Sequence, residues 1–151
     1  MTVIAYRNGV LAADKLAQMC GSKGIVTKIF KHKADMIGIC GTLSRALECV
    51  EWIKAGAHSK DIPEFQKGED YESIMVIRDR KIFIYERGPL PFLIENEFYA
   101  IGSGSPYALA AMWCGRNAEA AVECASALNT GCGMGIDILR DLEATRQRAE
   151  T

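Results

Sequence analysis

Thr2, Asp14 and Lys28 are the side chains of this chain whose types and spacing could do chemistry together. A threonine hydroxyl is a poor nucleophile until a base takes its proton. A free α-amine, with an ordinary pKa of about 7.7–8, is such a base near neutral pH. If Met1 is removed, nucleophile and base belong to one residue, and their proximity is fixed by covalent geometry. The small side chain of Thr2 suits trimming by a methionine aminopeptidase. By itself, a second-position threonine reads simply as the exposed start of a strand. Asn8-Gly9 separates the apolar runs 2–7 and 10–14, a strong hairpin signal because both residues tolerate positive φ. A two-residue turn there sets Thr2 opposite Lys15 and Asp14 opposite Val3. Asp14 then arrives beside Thr2 without facing it squarely, which suits orienting a third group. Lys28 shares a face of IVTKIF with Val26 and Phe30, so the alternation sends a cation toward an apolar layer. A buried ammonium is costly unless paired, and Asp14 is the obvious partner. The alternative is a lysine that snorkels to a strand edge. Lys31 and Lys33 are expected in solvent.

Two loops add backbone and hydroxyl groups. Gly41 stands where a strand turns into a long helix, so its N–H can point at a developing oxyanion, aided by the positive end of the helix. The same glycine could serve only the tight turn. Ser103 lies in IGSGS ahead of a second helix and is either a site serine or a loop and capping serine. Neither Gly-rich stretch reads as a nucleotide site. IGSGS lacks the lysine of a phosphate loop, and GCGMGID follows a helix, not a strand.

The elements that must position these residues follow from periodicity. IVTKIF and ADMIGICG read as strands, the first apolar on both faces and therefore expected to be central and covered. Thr42 is placed to cap a helix through Ala57, with Leu43, Ala46, Leu47, Val50 and Ile53 at helical spacing and Gly56 ending it. HSKDIPEFQKGED reads as a loop with a short helical turn. YESIMVIRD and KIFIYERG form a hairpin around Asp79-Arg80, and PFLIE and FYAIG add short strands. SPYALAAMWCG starts a helix with Ser105 as cap and Pro106 first inside. Asn117 caps a further helix, GMGIDIL is a strand, and RDLEATRQRAE is a polar helical end. Antiparallel hairpins in both halves argue against a doubly wound parallel sheet. Two packed antiparallel sheets covered by helices would bury both faces.

Composition sets the limits. A chain of 151 residues, 49% hydrophobic and 25% charged, fits one globular domain spanning residues 1–151. A net charge of −1 gives no footprint for nucleic acid, and no apolar run suggests a membrane span or signal peptide, so a cytoplasmic protein is expected. The six cysteines form no C-x-x-C pair, and the only histidines, His32 and His58, are far from any Cys pair, so reduced, mostly buried thiols are expected, with no metal and no cofactor.

Taken in order, TVIAYRNGVLAAD, VTKIF, GICGTLSRA and YAIGSGSPYALAAM resemble the proteasome β-subunit and bacterial HslV family of N-terminal nucleophile (Ntn) hydrolases. The resemblance covers most of the chain. It implies an α+β fold, a four-layer αββα sandwich with two antiparallel sheets between helix layers. It also implies threonine endopeptidase activity on peptides or proteins, with assembly into stacked rings of six or seven. An AAA+ unfoldase is implied as the partner that feeds the ring. Thr2 matches the family nucleophile if each arm of the first hairpin is two residues shorter, a change that keeps every side chain on its face. A strict alignment from residue 5 would put Met1 there instead. The resemblance places Lys28 at the catalytic lysine, Gly41 at the oxyanion glycine and Ser103 at the serine near the amine. Two positions depart. Asn129 stands where the family usually has aspartate, and Cys132 where it often has serine. Asn129 brings no negative charge to hold the amine. Cys132 as a nucleophile finds no histidine nearby in sequence.

Three readings follow: an N-terminal threonine peptidase, a catalytically silent ring-forming relative of the same fold, and a related amide hydrolase acting on a small molecule. Positions near Cys20 and in 36–49 would line the pocket that decides the last.

Overall fold

A computed structural model of the chain describes residues 1–151. The strands in chain order are β1 (Ile4–Arg7), β2 (Val10–Asp14), β3 (Leu16–Met19), β4 (Ser22–Ile25), β5 (Ile29–His32), β6 (Asp35–Cys40), β7 (Ser73–Arg78), β8 (Lys81–Tyr85), β9 (Phe92–Ile94), β10 (Phe98–Ile101) and β11 (Ile136–Arg140). The helices are α1 (Leu43–Lys54), α2 (Ser105–Trp113), α3 (Ala118–Leu128) and α4 (Leu142–Glu150). Asn8 and Gly9 adopt φ of 50° and 76°, the left-handed pair that closes a two-residue hairpin with the strands' own twist. The resulting register pairs Ile4 with Ala13 and Arg7 with Val10. β10 and β11 flank this hairpin, giving a sheet of order β10-β1-β2-β11. A second sheet has the order β5-β6-β7-β8-β9, and every pairing in both is antiparallel.

Alternation along these strands builds three cores between four layers. Val3, Ala5 and Ala12 face outward against Ala108, Ala121 and Ala125 of α2 and α3. These small residues let helix backbones approach the sheet closely. Ile4, Tyr6, Leu11 and Ala13 face inward and meet Met36, Met75, Ile77 and Ile84 of the second sheet. Gly38 permits that contact, since a Cβ there would lie 2.6 Å from Ile4 Cγ2. Ile37, Ile39, Ile74 and Val76 face outward against Ala46, Val50 and Ile53 of α1. The layers are therefore helices α2 and α3, sheet, sheet, helix α1: the αββα sandwich.

Several local expectations are revised. IVTKIF is not one strand, and β5 is an edge strand, not a central one. Cys20 and Gly21, with φ of 47° and 79°, fold Leu16–Met19 back on Ser22–Ile25 as a separate hairpin. Beyond it the chain crosses from one ladder to the other: Val26 N donates to Lys15 O, whereas Lys28 O accepts from Ile39 N. The apolar residues on both faces reflect passage between layers. Thr42 occupies the N-cap position of α1 but its side chain caps nothing. The buried stripe of α1 runs through Ala46, Cys49, Val50, Trp52 and Ile53, which leaves Leu47 exposed. α2 starts one residue early, with Gly104 at the cap position and Ser105 and Pro106 inside. Asn117 caps α3 as expected, accepting from Ala120 N at 2.8 Å. The thiols are all free but not mostly buried: only Cys49 and Cys132 are, and Cys20 and Cys114 are exposed.

Candidate active site

The loops that carry the candidate residues all leave the same end of the sandwich. Thr2 precedes β1, Asp14 ends β2, Lys28 lies in the crossing segment, Gly41 follows β6, Ser103 follows β10, and Asn129 and Cys132 precede β11. Antiparallel pairing makes this unavoidable, because β1 begins where β2 and β10 end and where β11 begins.

Thr2 is 4% exposed and is gripped by the Gly102–Gly104 loop. Its N–H donates to Ser103 Oγ at 3.2 Å, and Gly104 N–H donates to Thr2 O at 3.0 Å. Gly102 has φ +95°, and a Cβ there would stand 2.2 Å from Thr2 O. Gly102 thus admits the threonine backbone, and Gly104 admits the packed side chains of Val3 and Cys132, each 2.8 Å from where its Cβ would stand, uses of glycine that have nothing to do with phosphate.

Asp14 is fully buried and accepts from Val3 N at 3.0 Å, Leu16 N at 3.3 Å and Gly133 N at 3.1 Å. Its fourth partner is Lys28, 3% exposed, whose Nζ donates to Asp14 Oδ1 at 2.9 Å. Lys28 therefore does not snorkel outward. Its ammonium also donates to Met1 O at 3.2 Å, the carbonyl joined to Thr2 N. Asp14 orients the lysine, and the lysine reaches the Met1 carbonyl of the peptide bond that precedes Thr2.

Thr2 and Gly41 stand where two lobes of a cleft meet. One lobe, about 460 Å³, is lined by Leu16, Met19, Val26, Ile39 and Ala46. The other holds Gly102, Ser103 and Glu72. Glu72 was not legible in the sequence, where it stands near the start of YESIMVIRD, a run read only as a hairpin strand. Buried Gln66 places it: Gln66 Oε1 accepts from Glu72 N and Gln66 Nε2 donates to Glu72 O, both at 2.8 Å. Thr42 N–H then donates to Glu72 Oε2 at 3.0 Å, so this carboxylate satisfies the N-cap amide itself, the bond that the carboxylate of a capping box makes, while the Thr42 hydroxyl caps nothing. Cys40 lines both lobes, but burial, then the Glu72 charge, pushes its thiol up to about 11. A thiol pushed that way stays protonated at neutral pH, which disfavours it as a nucleophile.

Asn129 buttresses the Ser103 loop from below. Its Nδ2 donates to Ser103 O at 3.1 Å and its Oδ1 accepts from Gly131 N at 2.8 Å. Cys132 is buried against the Gly104 loop, and burial raises its pKa.

The chain matches no family model and no curated protein. Solved structures do resemble it. HslV from Trypanosoma brucei superposes with a TM-score of 0.68 at 16% identity, over 91% of this chain and 97% of that one. BPH from Thiobacillus denitrificans gives 0.61 at 22% identity, over 91% and 95%. The same BPH in complex with epoxomicin gives 0.62 at 21%, over 91% and 96%. The fold is thus that of the HslV and proteasome-type Ntn hydrolases, along nearly the full length of both partners. No helix is long and apolar enough to cross a membrane.

Proposed function

We propose that this chain is a threonine-type peptidase subunit whose nucleophile is the Thr2 hydroxyl, active once Met1 is removed. The observation that carries this reading is the convergence of Ser103, the Lys28–Asp14 pair and Gly41 on one buried threonine at an open cleft. Removal of Met1 turns the Thr2 amide into a free amine beside Ser103 Oγ and takes away the carbonyl Lys28 now holds. The amine accepts the Oγ proton as Oγ attacks the scissile carbonyl. The resulting oxyanion meets the Gly41 N–H at the positive end of α1. Collapse expels the leaving amine, which takes the proton back from the Thr2 ammonium. A water activated by the same amine then hydrolyses the ester. The Lys28 ammonium favours the alkoxide and the free-base amine, and Asp14 keeps that cation in place.

The likeness to HslV and BPH supports the wider reading: hexameric or heptameric rings, stacked around a chamber, fed by an AAA+ unfoldase in the cytoplasm. Asn129 favours one second reading, a silent ring-forming subunit, because it brings hydrogen bonds but no charge to the Ser103 loop.

Intact mass and peptide mapping after epoxomicin treatment separate the two. Loss of Met1 with an adduct on Thr2, absent in Thr2→Ala, is the expected result. A retained Met1, or a free Thr2 that takes no adduct, selects the silent subunit. A monomer in sedimentation would defeat the ring in both readings.

A further inference from the structure

Glu72 is a nearly buried charged group at this end of the molecule whose bonding capacity is only partly used. Its side chain is only 7% exposed, yet it lines the second lobe together with Thr2 and Gly41. A carboxylate has about four acceptor sites. Here Oε2 accepts from Thr42 N–H alone, and Oε1 accepts no hydrogen bond. Its cationic neighbour is poorly engaged. Arg45 Nε stands 3.5 Å from Oε1 and makes no hydrogen bond at all. The Arg45 guanidinium instead stacks 4.3 Å over the Phe65 ring and donates to Asp70 O. The other cation of the cleft, Lys28, is held by Asp14. A nearly desolvated carboxylate facing a cleft with free lone pairs favours a cationic donor.

We propose that Glu72 makes its lobe a subsite for a cationic side chain, the lysine or arginine of a bound peptide, next to Thr2. This rests on the reading of the cleft as a peptide site. The other lobe is lined mostly by apolar side chains, so the preferred peptide places an apolar residue and a basic residue on neighbouring positions. The Gln66 clamp and the Thr42 amide fix the carboxylate before anything binds, so little ordering is needed on binding.

The test measures binding in the full-length Thr2→Ala protein, where turnover cannot interfere. The probes are fluorescein-tagged hexapeptides Ala-Ala-Leu-X-Ala-Ala, with X lysine or norleucine, followed by anisotropy at physiological salt. The lysine peptide is expected to bind about tenfold tighter than the norleucine peptide, as for a charge-assisted hydrogen bond. Glu72→Gln keeps an acceptor for Thr42 N–H and should cut that ratio to below about twofold. Equal binding of the two peptides, no binding of either, or a lysine preference that survives Glu72→Gln would each overturn the proposal. Epoxomicin labelling of the parent protein decides the role of Thr2 separately, so failure of one reading is not mistaken for failure of the other.

Discussion

Asp14 and Glu72 are both buried carboxylates at the same end of the sandwich, and they differ in how fully they are partnered. Asp14 accepts from three backbone amides and an ammonium. Glu72 accepts from one amide and has a cation standing at 3.5 Å. Asp14 comes from the end of a strand inside the rigid hairpin, and everything around it is fixed by sheet register. Glu72 comes from a loop, fixed by the side chain of Gln66. A saturated carboxylate builds a site, because it has nothing left to offer a ligand. An unsaturated one can recognise something.

Breaking the saturated side has the largest expected effect. Asp14→Ala leaves Lys28 as an uncompensated buried charge and frees three amides, so it should cost about 3–5 kcal/mol in urea unfolding and abolish labelling of Thr2. Lys28→Ala leaves Asp14 with its three amides and should destabilise less. Its rate of epoxomicin adduct formation should fall by about 100-fold or more, read by time-resolved intact mass. If labelling is unchanged, Lys28 is structural only. Gly102→Ala forces a Cβ toward Thr2 O at a positive φ, for a cost of about 1–3 kcal/mol and displaced, slowly labelled Thr2.

Two smaller changes sharpen the contrast. Asn129→Asp adds a charge behind the Ser103 loop. A carboxylate there favours the ammonium form of Thr2, so the acid limb of the pH–labelling profile should move up, by less than about one pH unit. The smallest effect belongs to the far end. Burial would raise the Asp141 pKa, but Arg80 and the Ala144 amide outweigh it and hold the group below its ordinary 3.8. Its contribution is therefore complete above that ordinary value and is lost as pH falls through the lowered one. Asp141→Asn should unfold slightly more easily near neutral pH, with the gap closing as pH falls below the ordinary carboxylate range. Labelling of Thr2 should be untouched.

Most of the hairpins, helices and layers were legible because period-two and helical patterns act over a few residues. Asn8-Gly9 alone set the register that brings Asp14 opposite Val3. The pairing of Asp14 with Lys28 was readable too, since a lysine aimed at an apolar layer needs a carboxylate. The path of IVTKIF was not, because a segment crossing between two sheets carries the same apolar residues as a central strand. The N-cap of α1 was only half legible: Thr42 holds the position but its hydroxyl makes no capping bond, and its own N–H is taken by Glu72 from thirty residues away.

The sequence by itself determined which side chains could react, and the local turns that aim them. Only the tertiary structure decided which of them share an end, that Gly102 exists to admit the Thr2 backbone, and that Glu72 is buried with lone pairs to spare. Those facts depend on distances between residues far apart in the chain, and such distances are fixed by packing, not by local preference.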